Sequence, residues 1–230
     1  MMRVRWRAAF FVLAGAGIVA AVAWALLGSR LFVVRSIAVS GTHRVSSSEV
    51  AGIADVPLGT PLSRVDTAVV ARRIETIKQV ASASVSTSWP DGLDIAVRER
   101  TPAVTVRMAR GYDVVDATGV VLSWSAAKPA SLPVYVTSVT GADLRGDARL
   151  SAAAAVLAEL PKWLSRSVDS VSAAGSASSA GPVTLDLRHG KTVVWGGTDR
   201  ATEKARELAI LIGGQATYYD VSAPGTAVTR

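Results

Sequence analysis

No cysteine occurs anywhere in the 230 residues, which excludes disulfides, thiolate metal sites and thiol catalysis together. Histidine is almost as scarce. His43 and His189 both fall in turn-like stretches without a second imidazole or a carboxylate at ligand spacing, so no metal site is expected. Serines abound, yet none sits in a G-x-S-x-G elbow, and Gly196-Gly197 and Gly213-Gly214 match no phosphate-binding fingerprint. The close carboxylate pairs Asp91/Asp94 and Asp113/Asp116 lie at strand ends or turns, where aspartate hydrogen-bonds its own backbone. These absences predict no catalytic residue, no cofactor and no enzyme. Aromatic residues make up only 6% of the chain, so a core must be built from Val, Ala, Leu and Ile.

Acid is missing from the whole N-terminal end: six arginines precede the first acidic residue, Glu49. Within that region Ala8 to Gly28 runs 21 residues without a charged side chain, enough for one helix to span roughly 30 Å of hydrocarbon. The preceding MMRVRWR carries Arg3, Arg5 and Arg7 and stays in the cytoplasm by the positive-inside rule, which exports the rest. A cleaved signal peptide is the competing reading, with Ala21-Val22-Ala23 as an A-x-A site, but that triplet is followed by more apolar residues, Trp24 to Leu27. A buried core helix would carry a polar face. Gly15 and Gly17 read as ordinary membrane-helix glycines. Of the formal charge of +7, residues 1–30 hold four arginines; beyond them 21 basic residues face 18 acidic ones, a net of +3. That mild excess, unaccompanied by stacking aromatics, predicts no nucleic-acid partner, while the arginines flanking the apolar run suit a lipid bilayer.

After the anchor, Leu31 to Ser40 alternates as a strand and closes at Ser40-Gly41. Ser46 and Glu49 have capping-box spacing for a helix to about Ile53, and a second helix is predicted from Asp66 to Lys78. Gln79–Trp89 and Leu93–Arg100 alternate on either side of Trp89-Pro90-Asp91-Gly92, a hairpin. Strand, helix, helix, strand, strand in seventy residues predicts a small α+β module.

The phrases VRSIAVSGTHRVSSSEV and PLGTPLSRVDTAVVARRIETIKQVASASVSTSWPDGLDIAVRERTPA, ending in Glu99-Arg100-Thr101-Pro102, resemble a POTRA domain of the bacterial cell division FtsQ/DivIB family, whose members carry one membrane helix after a short tail. Farther on, strands at Val104–Met108, Tyr112–Asp116 and Val120–Leu122, the segment Leu132-Pro133-Val134, an alanine-rich helix Asp147–Leu164 bent or ended by Pro161, and a short strand Val168–Val171 are expected. Ser172–Gly181 reads as a solvent loop. A hairpin, Val183–Leu187 with Thr192–Trp195, precedes a last helix capped by Thr198 or Asp199, with Ala205, Leu208, Ala209, Leu211 and Ile212 inward and Lys204, Arg206 and Glu207 outward. YDVVDATGVVLS and VVWGGTDRATEKARELAILIGG, followed by YYDVSAP, resemble the family's second domain. The expected layout is a cytoplasmic tail 1–7, a transmembrane helix 8–28, a POTRA domain 31–101, an FtsQ-type β domain 102–222 of mixed sheet with two helices, and a frayed tail 223–230.

Tyr218 to Ser222 reads as a final edge strand with nothing to cover it, offering amides and carbonyls to a partner strand, with one of its two tyrosines in the core. The family resemblance implies that this region binds small bitopic proteins like FtsB and FtsL. Residue by residue, Tyr219, Asp220 and Val221 through Gly225 match the family's final strand and Lys204 a basic position before it. The expected partner-binding set is Lys204, Leu208, Tyr218, Tyr219, Asp220, Val221, Ser222, Pro224 and Gly225. The function expected is a non-catalytic divisome scaffold at the septal plasma membrane. The alternative, a membrane-anchored POTRA module for polypeptide transport or chaperoning, calls for repeated POTRA units or a barrel, and one unit is legible here.

Overall fold

A computed structural model describes residues 10–21, 32–137 and 144–230. Residues 10–21 are helical, with Phe10, Phe11, Leu13 and Val19 exposed. Among the described residues no helix is long and apolar enough to cross a membrane; the expected span 8–28 extends beyond them at both ends. The remaining chain forms two compact units that divide between Glu99 and Arg100.

In the first unit β1 (Ser36–Ser40) runs parallel to β3 (Gly92–Glu99), and β2 (Val80–Ser88) pairs antiparallel on the other side of β3. The alternation of β3 explains its central place. Leu93, Ile95 and Val97 are buried on one face while Asp94, Ala96 and Arg98 are exposed on the other. Helices α1 (Ser47–Ala54) and α2 (Thr67–Ile74) complete the core with Val50, Ala54, Val70 and Ile74. Ser46 caps α1 through the amide of Ser48, and Asp66 caps α2 through the amides of Ala68 and Val69. Helix α2 stops four residues before the expected Lys78. Thr76 Oγ1 donates to the carbonyl of Arg73, and tight turns from Ile77 to Ile74 and from Val80 to Ile77 redirect the chain into β2, keeping Ile77 in the core.

Glu99 ends β3, and its Oε1 accepts the amides of His43, Arg44 and Val45 at 2.6, 2.8 and 3.0 Å. The amides of Val45 and His43 hold its carboxyl below the ordinary range.

The second unit is one nine-stranded sheet, in the order β12-β11-β10-β9-β8-β7-β4-β5-β6. Strands β4 (Pro102–Met108), β5 (Gly111–Asp116) and β6 (Val121–Ser125) form an antiparallel meander. The two-residue β7 (Val134–Tyr135) runs parallel to both β4 and β8 (Val168–Ser176) and joins the meander to the rest. Beyond it come β9 (Ser179–Leu187), β10 (Thr192–Gly196), β11 (Tyr218–Asp220) and β12 (Val228–Thr229). Helix α3 (Ala148–Glu159), capped by Asp147, packs on β4, β8 and β9.

Three expectations change here. Pro161 splits the helix expected over 147–164 into α3 and a short α4 (Lys162–Ser165), so with α5 (Ala201–Leu211) the described part of this unit has three helices rather than two. Proline has no amide to continue the ladder, and its neighbour Leu160 is extended. The Ser-Ala-Gly stretch 172–181 is not a loop. It forms the paired arms of β8 and β9 down to Ser176 opposite Ser179, because backbone hydrogen bonds need no apolar side chain. Finally, Arg200, left-handed at φ 50°, occupies the N-cap of α5 without a side-chain bond, so neither Thr198 nor Asp199 caps it.

At the β5–β6 turn, Asp116 accepts from Arg100 Nη1 at 2.8 Å, the amides of Thr118 and Val120, and the Thr118 hydroxyl. Burial pushes this carboxyl upward, but those hydrogen bonds outweigh it and hold Asp116 below the ordinary range.

Candidate functional site

The C-terminal end of the nine-stranded sheet is built as a platform and an edge. Helix α5 connects β10 to the parallel β11. On this connection Lys204, expected to face water, is fully buried. Its Nζ donates to the carbonyl of Gly197 and to Asp199 Oδ1, both at 3.1 Å. The lysine stem packs like an apolar residue while its ammonium ties down the loop before α5. The hydrogen bond from Lys204 also holds the Asp199 carboxyl below its ordinary range.

Tyr219 is the second anchor, fully buried, with its hydroxyl donating to the carbonyl of Ala216 at 2.7 Å. Lys191 Nζ donates to that hydroxyl, to Ile212 O at 2.6 Å and to Gly214 O at 3.0 Å, and lies 5.4 Å from the tyrosine ring centre. One cation thus satisfies the carbonyl end of α5 and fixes the aromatic of the next strand. Leu208 and Val221 are buried in the same core, and Tyr218 is only partly covered, as expected of the pair. Ala209, expected inward, is exposed, and Ile210 is 81% exposed beside it.

The expected free edge at Tyr218–Ser222 is covered. Asp220 Oδ1 accepts from the amide and hydroxyl of Ser222, ending β11 in a turn, and Gly225, at φ 87°, donates its amide to Glu207 Oε2. The chain then returns as β12, with Tyr219 opposite Thr229 and Asp220 opposite Val228. Arg230 exchanges backbone bonds with Tyr218 at 3.0 and 3.1 Å. Both sides of β11 are therefore paired, and the tail expected to fray carries the edge. Of the expected partner-binding residues, Lys204, Leu208, Tyr219 and Val221 form the buried platform, while Tyr218, Asp220, Ser222, Pro224 and Gly225 remain at the surface to varying degrees. Lys191, Glu207 and β12 were outside the expected set. Alternating Thr226-Ala227-Val228-Thr229 is the only trace of β12 in the sequence, and it is too short to read.

Of the carboxylate pairs, Asp116 holds the β5–β6 turn while Asp113 lies within β5 opposite Trp124, and Asp94 lies in β3 opposite Ser86.

Residues 32–100 match the family model for the FtsQ-type POTRA domain, and residues 104–221 match that for the C-terminal region of cell division protein FtsQ/DivIB. The chain belongs to the FtsQ/DivIB family. Among its relatives, the cell division protein FtsQ of Streptomyces venezuelae is 36% identical over 208 residues, covering 87% of this chain and 75% of the relative. That of Streptomyces bingchenggensis is 36% identical over 217 residues, covering 91% and 80%. Mycolicibacterium smegmatis FtsQ is 38% identical over 190 residues, covering 83% of this chain and 55% of the relative. Membership makes this an α+β cell division protein with a POTRA domain, and the FtsQ/DivIB C-terminal match extends through Val221, so it includes the platform and β11.

Proposed function

We propose that this chain is a single-pass scaffold of the division machinery, without chemistry of its own, that recruits membrane partners and regulates septal wall synthesis through a sheet edge. In this reading residues 1–7 are cytoplasmic, 8–28 anchor the chain in the plasma membrane at the septum, and the POTRA domain (31–101) and the β domain (102–222) are exported, with 223–230 folding back on the latter. The observation that carries the reading is β12. A two-residue strand, with Val228 47% exposed, ends the sheet. It offers a short row of backbone groups on a support held by Lys191, Lys204 and Tyr219. An extended segment of a small FtsB- or FtsL-like bitopic protein adds to it by main-chain pairing, with Tyr218, Asp220, Ser222, Pro224 and Gly225 framing the contact.

Capture of such partners from solubilised membranes by the intact chain, compared with one truncated after Gly214, tests this edge. Loss of capture is expected on truncation. Equal recovery would remove the edge from the account.

A further inference from the structure

We propose that one end of the first unit, formed by Phe32, Leu58 and Trp89, is seated in the headgroup layer of the outer leaflet of the membrane. The proposal rests on reading residues 8–28 as the anchor, and the observations that carry it lie outside that span.

Three segments converge at this end. Leu62 N donates to Phe32 O at 3.0 Å, Val34 N to Thr60 O at 2.9 Å, and Gly59 N to Val34 O at 2.8 Å. Phe32 meets Trp89 edge to face, ring centres 5.2 Å apart, and Arg35 N donates to Asp91 O at 2.8 Å. This places residues 32–35, 58–62 and 89–91 together where β1 and β3 begin, at Ser36 opposite Gly92. Two large apolar side chains here are turned to solvent: Leu58 is 69% exposed and Trp89 51%. Neither completes the core beneath, which Val34 and Leu62 close from the same segments.

Covalent geometry keeps lipid within their reach. Phe32 follows Gly28, the end of the apolar run, by four residues, so their Cα atoms are at most about 15 Å apart. The interfacial layer is itself roughly 5 to 8 Å deep on each side of the hydrocarbon. With 8–28 as the anchor, this end of the unit stays within about 10 Å of the headgroup layer even at full extension, which makes lipid the constant neighbour of the water-exposed Trp89 and Leu58. Tryptophan is the side chain favoured at that depth, since its ring is apolar and its N–H polar. In the sequence Arg30 stands two residues before Phe32, a cation that suits anionic headgroups, and Asp91 is an acid at the same end of the unit. The other end of the sheet serves as an internal reference. Glu99 lies seven residues along β3 from Gly92, about 23 Å at strand rise, and binds the amide of His43 there.

Absence of native cysteine makes the test clean. The full chain carrying V19C, L58C or H43C is labelled with an environment-sensitive fluorophore and reconstituted into vesicles of phosphatidylcholine and phosphatidylglycerol at three to one. Nitroxide lipids then quench the labels, at the headgroup in one set and deep in the acyl chain in another. The label at 58 is expected to lose about half its emission to the headgroup quencher, and the label at 43 almost none. The label at 19 should respond to the deep quencher. Quenching at 19 with no more at 58 than at 43 overturns the seating and leaves the anchor standing. An unquenched label at 19 overturns the anchor and the seating with it. A label at 58 that is shielded from water but unquenched by lipid reveals a protein cover and also overturns the proposal. Trp89→Ser, labelled at 58, keeps the exposed leucine position and removes the aromatic; quenching at 58 is expected to fall below that of the parent. Unchanged quenching would show that Trp89 takes no part in the seating and overturn the three-residue form proposed.

Discussion

Two carboxylates, Glu99 in the first unit and Asp116 in the second, hold unlike structures by the same means. Glu99 gathers three amides of the loop before α1, and Asp116 gathers Arg100 and the amides of its own turn. Glu99→Ala should destabilise the first unit by roughly 1–2 kcal/mol, since hydrogen bonds to a charged acceptor are lost at a site open to replacement by water, read as a shift in the urea midpoint. Asp116→Ala strands Arg100 and should cost about 3 kcal/mol. Asp116 and the α3 cap Asp147, which the Arg149 guanidinium holds low, both have folded pKa values below their unfolded ones. Their stabilisation is complete above the ordinary carboxylate range near pH 4 and is lost as pH falls through it towards their folded values. Thermal melting should thus be flat from pH 7 to about 5 and drop steeply below 4, with a shallower drop in Asp116→Asn. Lys204 follows a different rule, because its partner Asp199 is 61% exposed and only the lysine is desolvated. Lys204→Met should leave stability within about 1–2 kcal/mol of the parent, whereas Lys204→Ala opens a cavity and should lose about 2–4 kcal/mol, both read by chemical denaturation. The glutamate was visible in sequence only as part of a family phrase, and the burial of Lys204 not at all: a lone lysine among Glu203, Ala205 and Arg206 carries the same letters whether its ammonium meets water or a carbonyl.

Among elements, those with strong alternation were legible. Leu93, Ile95 and Val97 predicted β3, and the Pro-Asp-Gly turn predicted its pairing with β2. The arms of β8 and β9 were not, because Ser, Ala and Gly carry neither alternation nor β-branching and the pairing there is backbone to backbone. Helix α5 is legible as a helix but not in rotation: of two neighbours that the sequence predicts inward, Leu208 is buried and Ala209 is exposed. For the candidate site, the tyrosine pair and the connection from helix to strand were readable, while the covering strand was not, since β12 has only two paired residues. Truncation after Gly225 removes β12 and leaves β11 bare. Under the proposed pairing it should cut partner capture at least about tenfold while far-ultraviolet circular dichroism barely changes, the sheet losing two residues of ladder. Capture that rises instead would mean that β11 is the strand recognised and β12 its competitor. The distant edge strand β6, with Trp124 58% exposed, supplies the control: Trp124→Thr should leave capture unchanged.

At the scale of the whole molecule, a fluorescent fusion of the intact chain in growing rods should concentrate in a midcell band. An even distribution around the envelope in cells that require the gene would count against the scaffold reading. The nine-stranded sheet adds a consequence in time. Its meander β4-β5-β6 and its hairpin β8-β9 are each assembled from neighbours in sequence. Within the described sheet ladder the two sets are joined by the two residues of β7, whose partners Thr105 and Ser170 each lie roughly 30 residues or more away along the chain. Local hairpins close over short loops, and distant parallel partners must wait for them. By sequence separation the β7 seam should zip after the meander and the hairpin it joins, and α3, laid across β4, β8 and β9, is the clasp that lies over it.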